Sequence, residues 1–337
     1  MNSYVELSLI ILLPAVVVGL LSSLVFGEGK GVKGRVISGI KLNPAKGLDE
    51  QGLLWVVILV PVSYFFVFGW HAWDTYEISI DAEGFETFIA ISELPLWLLS
   101  VSIPLSILVA RIHATRQTSL LIKITNYKNN IDSFYSHRNE LFKYFEKIGE
   151  VDYLSVLVGK YQIHPRLHKN FFKGTPEEGI PLVNEDSFKD IESELKSAAW
   201  GLDTVIDNVN PDITFDIYVC NFGSTIYRIS QKLGIKEIIN DLAGKSILVP
   251  VNLEREGKKE LLTVGVTTDD AIAAFRYVFN FYHNLCDFCG REPVKLDEEY
   301  TYLLLGQSYK TKVTPLVIEE IHEHKIPSMK NQHNNTP

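Results

Sequence analysis

The sequence predicts an α-helical membrane protein that has three transmembrane helices, a long juxtamembrane helix and a mostly α, α+β cytoplasmic domain. Three apolar runs, at residues 7–26, 53–73 and roughly 88–110, are almost free of charged side chains. Each run is long enough to cross about 30 Å of hydrocarbon at about 1.5 Å per residue. An amphipathic stretch follows the third run, and the remaining chain has the mixed pattern of a soluble domain.

These patterns divide the chain into four parts. We expect a transmembrane region at residues 1–110, a juxtamembrane amphipathic helix at 111–150, a cytoplasmic α+β domain at 151–326 and a disordered tail at 327–337. The first apolar run is interpreted as a retained span and not as a signal peptide, because Met1–Glu6 contains no Lys or Arg. No small-residue cleavage site follows this run either.

The charges of the two short loops predict the orientation of the spans. The first loop, Gly27–Gly52, contains five basic residues and three acidic ones. The second loop contains five acidic residues between Asp74 and Glu86 and no Lys or Arg. Because basic loops stay in the cytoplasm, we expect the N-terminus and the second loop outside and everything after Arg111 inside.

Small and hydroxyl side chains recur at four-residue intervals in two of the runs. In the first run they are Ala15, Gly19 and Ser23, and in the third they are Ser102 and Ser106. This spacing places them on one helix face, which packs either against another span of the same chain or against a second copy. The serines seek a neighbouring helix or water in a pore. No charged residue lies at the centre of a run, which argues against an ion-coupled transporter.

The stretch after Arg111 has the spacing of a coiled-coil seam. One row of mostly apolar residues repeats every seven positions, and a second row lies three residues before it. The seam, which Arg138 interrupts, consists of Leu120, Ile124, Tyr127, Ile131, Phe134, Leu141, Phe145 and Ile148. It is either a stalk that self-associates or the inner face of a long helix that packs on its own domain.

The soluble part predicts a mixture of helices and one hairpin. Residues 186–207 and 212–233 have helical patterns, and the second is interrupted around Asn221–Gly223. Ser246–Leu253 and Glu260–Val266 predict a β-hairpin, and Thr267–Asp270 has the capping residues of a helix that runs to about Asp287. Residues 114–337 contain 26 basic and 31 acidic residues, so this part has no overall attraction for nucleic acid.

Signatures of catalysis are not found in the sequence. It contains no phosphate-binding loop, dinucleotide fingerprint, nucleophile elbow or zinc-protease motif. His283-x-x-Cys286-x-x-Cys289 has ligand-like spacing, but residues three apart on a helix diverge by about 60° at each step. Cysteine is also a common core residue, and we favour that interpretation. We therefore expect no enzymatic activity, no cofactor and no metal.

One juxtamembrane pattern resembles a known family. It runs His113-x-x-Arg116-Gln117-Thr118, then Asn129-Asn130, then Phe134-Tyr135-x-His137-Arg138, directly after a membrane span. The pattern is similar to the juxtamembrane segment of bacterial anti-phage defence transmembrane effectors, namely the retron-associated membrane effectors. The similarity covers this segment and the spans, and it departs from the family in span number, since those effectors often have two spans and three are expected here.

The resemblance implies a toxin of the bacterial inner membrane. A cytoplasmic complex, such as a reverse transcriptase with its branched DNA–RNA, would hold the protein silent, and phage infection would release it to permeabilise the membrane. Its partners would then be the lipid bilayer, that complex and further copies of the chain. Two alternatives are a passive membrane anchor or receptor for a cytosolic complex, and a membrane-bound enzyme of unfamiliar type.

The orientation is tested with a reporter enzyme that is active only in the periplasm. Fused after Ala82, in the acidic second loop, the reporter should be active. Fused after Lys160, beyond the basic segment, it should be silent. Reporter activity in cells measures both fusions, and the reverse pattern would contradict the predicted orientation.

Overall fold

The computed structural model of the chain describes residues 3–28, 31–208, 210–253, 257–312 and 317–329. It divides the chain into two compact units, Met1–Tyr127 and Lys128–Pro337. Both units are mostly helical. Pro327–Met329, at the start of the predicted disordered tail, are helical, and residues 330–337 of that tail lie outside the described residues.

Among the residues that the structure describes, three helices are long and apolar enough to cross a membrane. They cover Tyr4–Phe26, Gly52–Trp73 and Glu93–Ile148. The elements of this region are α1 (Ser3–Phe26), α2 (Val32–Ile40), α3 (Gly52–Trp73), α4 (Ala82–Ile91), α5 (Glu93–Ser100) and α6 (Ser102–Ile148). The predicted runs match these helices, except that the third begins at Glu93 and not near residue 88. Residues 88–91 belong to α4, a separate short helix that Asp81 caps by accepting a hydrogen bond from the Gly84 N–H.

The first loop is folded against the ends of α1 and α3. The Gln51 side chain is buried and donates to the carbonyls of Asn43 at 3.0 Å and Gly47 at 2.9 Å, while its oxygen accepts from the Asn43 N–H at 2.9 Å. Ser22 Oγ donates to the Gly52 carbonyl at 3.1 Å. Gly52 lies so close to Gly39 that a Cβ on Gly52 would come within 2.3 Å of the Gly39 oxygen. These contacts satisfy polar backbone groups at the point where two apolar helices end.

The second unit is a helical core with three small hairpins attached. After α6 come β1 (Val151–Tyr153), β2 (Leu157–Gly159), α7 (Arg166–Phe171), β3 (Phe172–Lys173), β4 (Leu182–Val183), α8 (Glu185–Asp207), α9 (Pro211–Asp216), α10 (Ser224–Leu233), β5 (Leu248–Leu253), β6 (Gly257–Leu262), α11 (Thr268–Cys289) and α12 (Val317–Glu320). Strands β1 and β2, β3 and β4, and β5 and β6 form antiparallel pairs. Short π-helical or 3-10 segments occupy Ile217–Gly223, Ile238–Leu242, Glu298–Leu304, Ser308–Thr311 and Ile321–Lys325.

Helix α11 is the centre of the core. Every side chain from Ala271 to Phe279 is buried, which is the pattern of a helix that other elements surround. The helix begins with a capping box, in which Thr267 Oγ1 accepts from the Asp270 N–H and the Asp270 carboxylate accepts from the Thr267 N–H. Gly290 ends the helix with φ of 65°, a left-handed conformation that favours glycine.

Most predicted elements of this unit are confirmed, with two differences. The helical stretch 212–233 is not broken at Asn221–Gly223; it passes through a π-helical segment there. The second hairpin strand lies at Gly257–Leu262, earlier than the predicted Glu260–Val266. The β1–β2 and β3–β4 pairs were not predicted, because strands of two or three residues carry no readable periodicity.

The contact at Gly52 predicts a stability difference between two glycines. In Gly52→Ala the new methyl would overlap the Gly39 carbonyl, so we expect the free energy of unfolding to fall by about 1–3 kcal/mol. Gly19→Ala is the matched control, because no atom of another element lies within 4 Å of its added Cβ. It should be neutral or slightly stabilising. Thermal unfolding of the full chain in detergent measures both, and equal melting temperatures would contradict the contact.

Candidate functional site

The small face of the first span is only partly used within the chain. Ser23 is buried, and its hydroxyl donates to the Leu20 carbonyl at 2.8 Å. Ala15 and Gly19 are partly exposed, and a Cβ added at Gly19 would meet no atom within 4 Å. The close helix approach of this unit is therefore made at Gly39 and Gly52, and the Ala15–Gly19 part of the face is open to another helix.

The serines of the third span are bonded within their own helix. Ser102 Oγ donates to the Leu99 carbonyl at 2.7 Å, and Ser106 Oγ donates to the Ser102 carbonyl at 2.6 Å. Seven and eleven residues after Ser102, on the same helix face, Val109 and His113 are buried. Both hydroxyls thus have acceptors without water or a second chain. The helix face that carries them also carries the buried Val109 and His113.

The His113-x-x-Arg116-Gln117 segment joins α6 to the first loop. Arg116 Nη1 donates to the Leu42 carbonyl at 3.2 Å, and Gln117 Nε2 donates to the Lys46 carbonyl at 3.4 Å. His113 is buried one turn earlier, and its ring nitrogens have no hydrogen-bond partner among the described residues. The first part of the family-like pattern therefore attaches the third span to the loop between the other two.

The predicted seam is split between two environments. At its C-terminal end, Leu141 and Phe145 are fully buried, and Phe145 packs against Phe281 of α11 with ring centres 4.9 Å apart. At its N-terminal end, the side chains of Ile124 and Tyr127 are 56% and 52% exposed. Leu120, Ile131, Phe134 and Ile148 are intermediate. The C-terminal end thus packs on its own domain, while Ile124 and Tyr127 present apolar surface that the chain does not cover.

The second part of the family-like pattern fastens α6 to the rest of the second unit. His137 Nδ1 and His168 Nε2 are 3.2 Å apart, so one ring donates to the other. Phe134 packs edge-on against His168, with ring centres 5.3 Å apart, and Asn130 donates to the Glu177 carbonyl at 2.7 Å. Burial lowers the pKa of His168 to about 4, with smaller contributions from nearby positive charges, so this imidazole is neutral at pH 7.

Two reactive side chains of the second unit, Cys289 and His322, are half-buried in packing contacts. Burial raises the pKa of the Cys289 thiol to about 12, which disfavours the nucleophilic thiolate. His322 contacts the Tyr218 hydroxyl at 3.3 Å, and burial lowers its pKa to about 4. A cavity of about 410 Å³ lies beside β2, and its lining includes Lys160, Asp241 and Lys245. Neither Cys289 nor His322, whose pKa values are perturbed, lines this cavity.

The His283–Cys286–Cys289 cluster has packing partners. The His283 ring lies 4.0 Å from the Phe279 ring, centre to centre, and its Nε2 is 3.1 Å from the Val294 carbonyl oxygen. Cys286 is fully buried in the core. Within the described part of the chain, no three His, Cys, Asp or Glu side chains are grouped as metal ligands.

Comparison with protein families, with curated proteins and with solved structures found no match.

Proposed function

We propose that this protein is a membrane effector of a retron-like abortive-infection system against phage. A cytoplasmic partner complex holds it inactive, and on release several copies assemble and permeabilise the bacterial inner membrane. The observation that carries the proposal is the pair of uncovered surfaces, one around Gly19 in the first span and one at Ile124 and Tyr127 in α6. Both have the residue types through which helices of separate chains associate.

The composition of the spans supports a leak of low selectivity. The centres of the apolar runs contain no Asp, Glu, Lys or Arg, so a conduction path would have no ring of charged side chains to select ions. The hydroxyls of Ser102 and Ser106 are satisfied by carbonyls three or four residues earlier in the third span. A path between assembled copies would therefore be lined mainly by small side chains and helix backbone, which favours a poorly selective defect over a tuned channel.

The second unit offers a surface for the partner that restrains the effector. Ile180, just before β4, is 68% exposed, and Leu182, the first residue of β4, is 75% exposed. Both follow Glu177, whose carbonyl accepts from Asn130. A partner that covers these apolar side chains would bind directly beside α6. A reverse transcriptase with its branched DNA–RNA is the partner that the resemblance implies. We assign the contact to the protein part of such a complex, because the exposed surface is apolar and the unit is acidic overall.

Toxicity in cells tests the proposal. Expression of the full chain without its partner should arrest growth and collapse the membrane potential, followed with a potential-sensitive dye. Gly19→Leu should remove both effects while keeping membrane insertion, because leucine blocks close helix approach and is favoured in the bilayer. Val17→Phe is the matched control. It adds bulk to a lipid-exposed position on a different face and should stay toxic.

Two outcomes separate this function from its alternatives. A fragment of residues 114–337, which lacks the spans, should be harmless; if it arrests growth, an enzymatic function of the soluble part replaces the leak. If the full chain is inserted and neither arrests growth nor changes the potential, the passive anchor or receptor is the better account. Arrest with an intact potential would also contradict a leak.

A further inference from the structure

A cavity of the first unit lies between the end of α3, the second loop and α4. It has a volume of about 790 Å³, within the roughly 300–1,000 Å³ typical of small-molecule sites. Four aromatic side chains contribute to its walls, namely Trp73, Tyr76, Phe85 and Phe88. The cavity is separate from the surfaces on which the proposed function rests.

Trp73 forms a fixed wall of this cavity. Its Nε1 donates to Ser92 Oγ at 2.8 Å, and Ser92 is fully buried. The ring packs against Phe88 of α4, with centres 5.7 Å apart. It also lies against its own helix at Gly69, where a Cβ would come within 2.5 Å of the indole. Contacts within the chain therefore hold Trp73 and Phe88 in place at one side of the cavity.

Among the described residues that line the cavity, only carboxylates carry a formal charge. Glu77, Asp81 and Glu83 line the cavity, and the sequence from Asp74 to Ser92 contains no Lys or Arg. Asp81 is occupied in capping α4, and hydrogen bonds from that helix turn lower its pKa, so it stays ionised at neutral pH. The side chains of Glu77 and Glu83 form no hydrogen bond or ion pair with the described residues, and so both are available to a ligand.

We propose that this cavity binds a lipophilic organic cation. Aromatic ring faces attract cations, and carboxylates at the rim provide the opposite charge. The exposed isoleucines at 78 and 80, which also line the cavity, match the apolar body of such a ligand. An anion of the same size and shape would meet three carboxylates and no cation, so the site discriminates by the sign of the charge.

The test uses two probes of nearly identical shape and opposite charge. The full chain is reconstituted in phosphatidylcholine nanodiscs and titrated with tetraphenylphosphonium or with tetraphenylborate, and empty nanodiscs give the background partitioning. We expect saturable binding of one phosphonium per chain, and tetraphenylborate binding no higher than the background. The double variant Glu77→Gln with Glu83→Gln should weaken phosphonium binding by about tenfold or more, because two attractive charges are lost.

Glu86→Gln is the matched control, because Glu86 lies on α4, as Glu83 does, and does not line the cavity. It should bind the phosphonium like the unaltered chain, whereas Phe85→Ala should weaken binding by removing part of the aromatic wall. Thermal unfolding of each variant confirms that it is folded. The proposal is overturned if both probes bind equally, if Glu86→Gln loses as much affinity as the double variant, if Phe85→Ala binds normally, or if phosphonium binding does not saturate.

Discussion

One helix has to suit two different environments, lipid at one end and a protein core at the other, and the other features of the chain follow from that constraint. Ser102–Ile148 is a single helix of 47 residues. Its first part belongs to an apolar segment suited to lipid, and its last part contributes Leu141 and Phe145 to a protein core from which water is excluded. The part between them belongs neither to the apolar segment nor to the protein core, and it contains exposed apolar residues such as Ile124. A helix surface of this kind gains stability only from a further partner.

The polar contacts of the first loop tie this helix to the other two spans. Gln51 satisfies the loop backbone, and the glycines at 39 and 52 allow the helix ends to meet. Arg116 and Gln117 then donate to loop carbonyls, which fixes α6 at the same point. The loop is held by these hydrogen bonds and by the close contact of the two glycines. A rearrangement of the spans would therefore have to break the hydrogen bonds and separate the glycines. The Gly19 surface is not involved in them and stays open.

Hydropathy predicted the long apolar helices well, because a helix able to cross a bilayer needs apolar side chains along about 20 residues. The seven-residue spacing predicted the long helix but not its partners, since the buried Leu141 and the exposed Ile124 belong to the same spacing pattern. The close contact between Gly52 and Gly39 and the cavity beside Trp73 were not predicted. Both depend on contacts between residues that are separated in sequence. Composition does not reveal which residues pack against a glycine. The strained turn at Leu154 and Ser155, both with positive φ, is equally invisible in a periodic pattern.

Two aspartate substitutions test whether the seam is divided into a buried C-terminal end and an exposed N-terminal end. Leu141→Asp places a charge in a fully buried site and should lower the stability of the chain by several kcal/mol, about 3 or more. Ile124→Asp changes an exposed residue, so the melting temperature should be kept while the mass of the assembled particle, measured in nanodiscs or detergent, falls to that of one chain. An Ile124→Asp variant that keeps its assembly, or a Leu141→Asp variant as stable as the unaltered chain, would contradict the account.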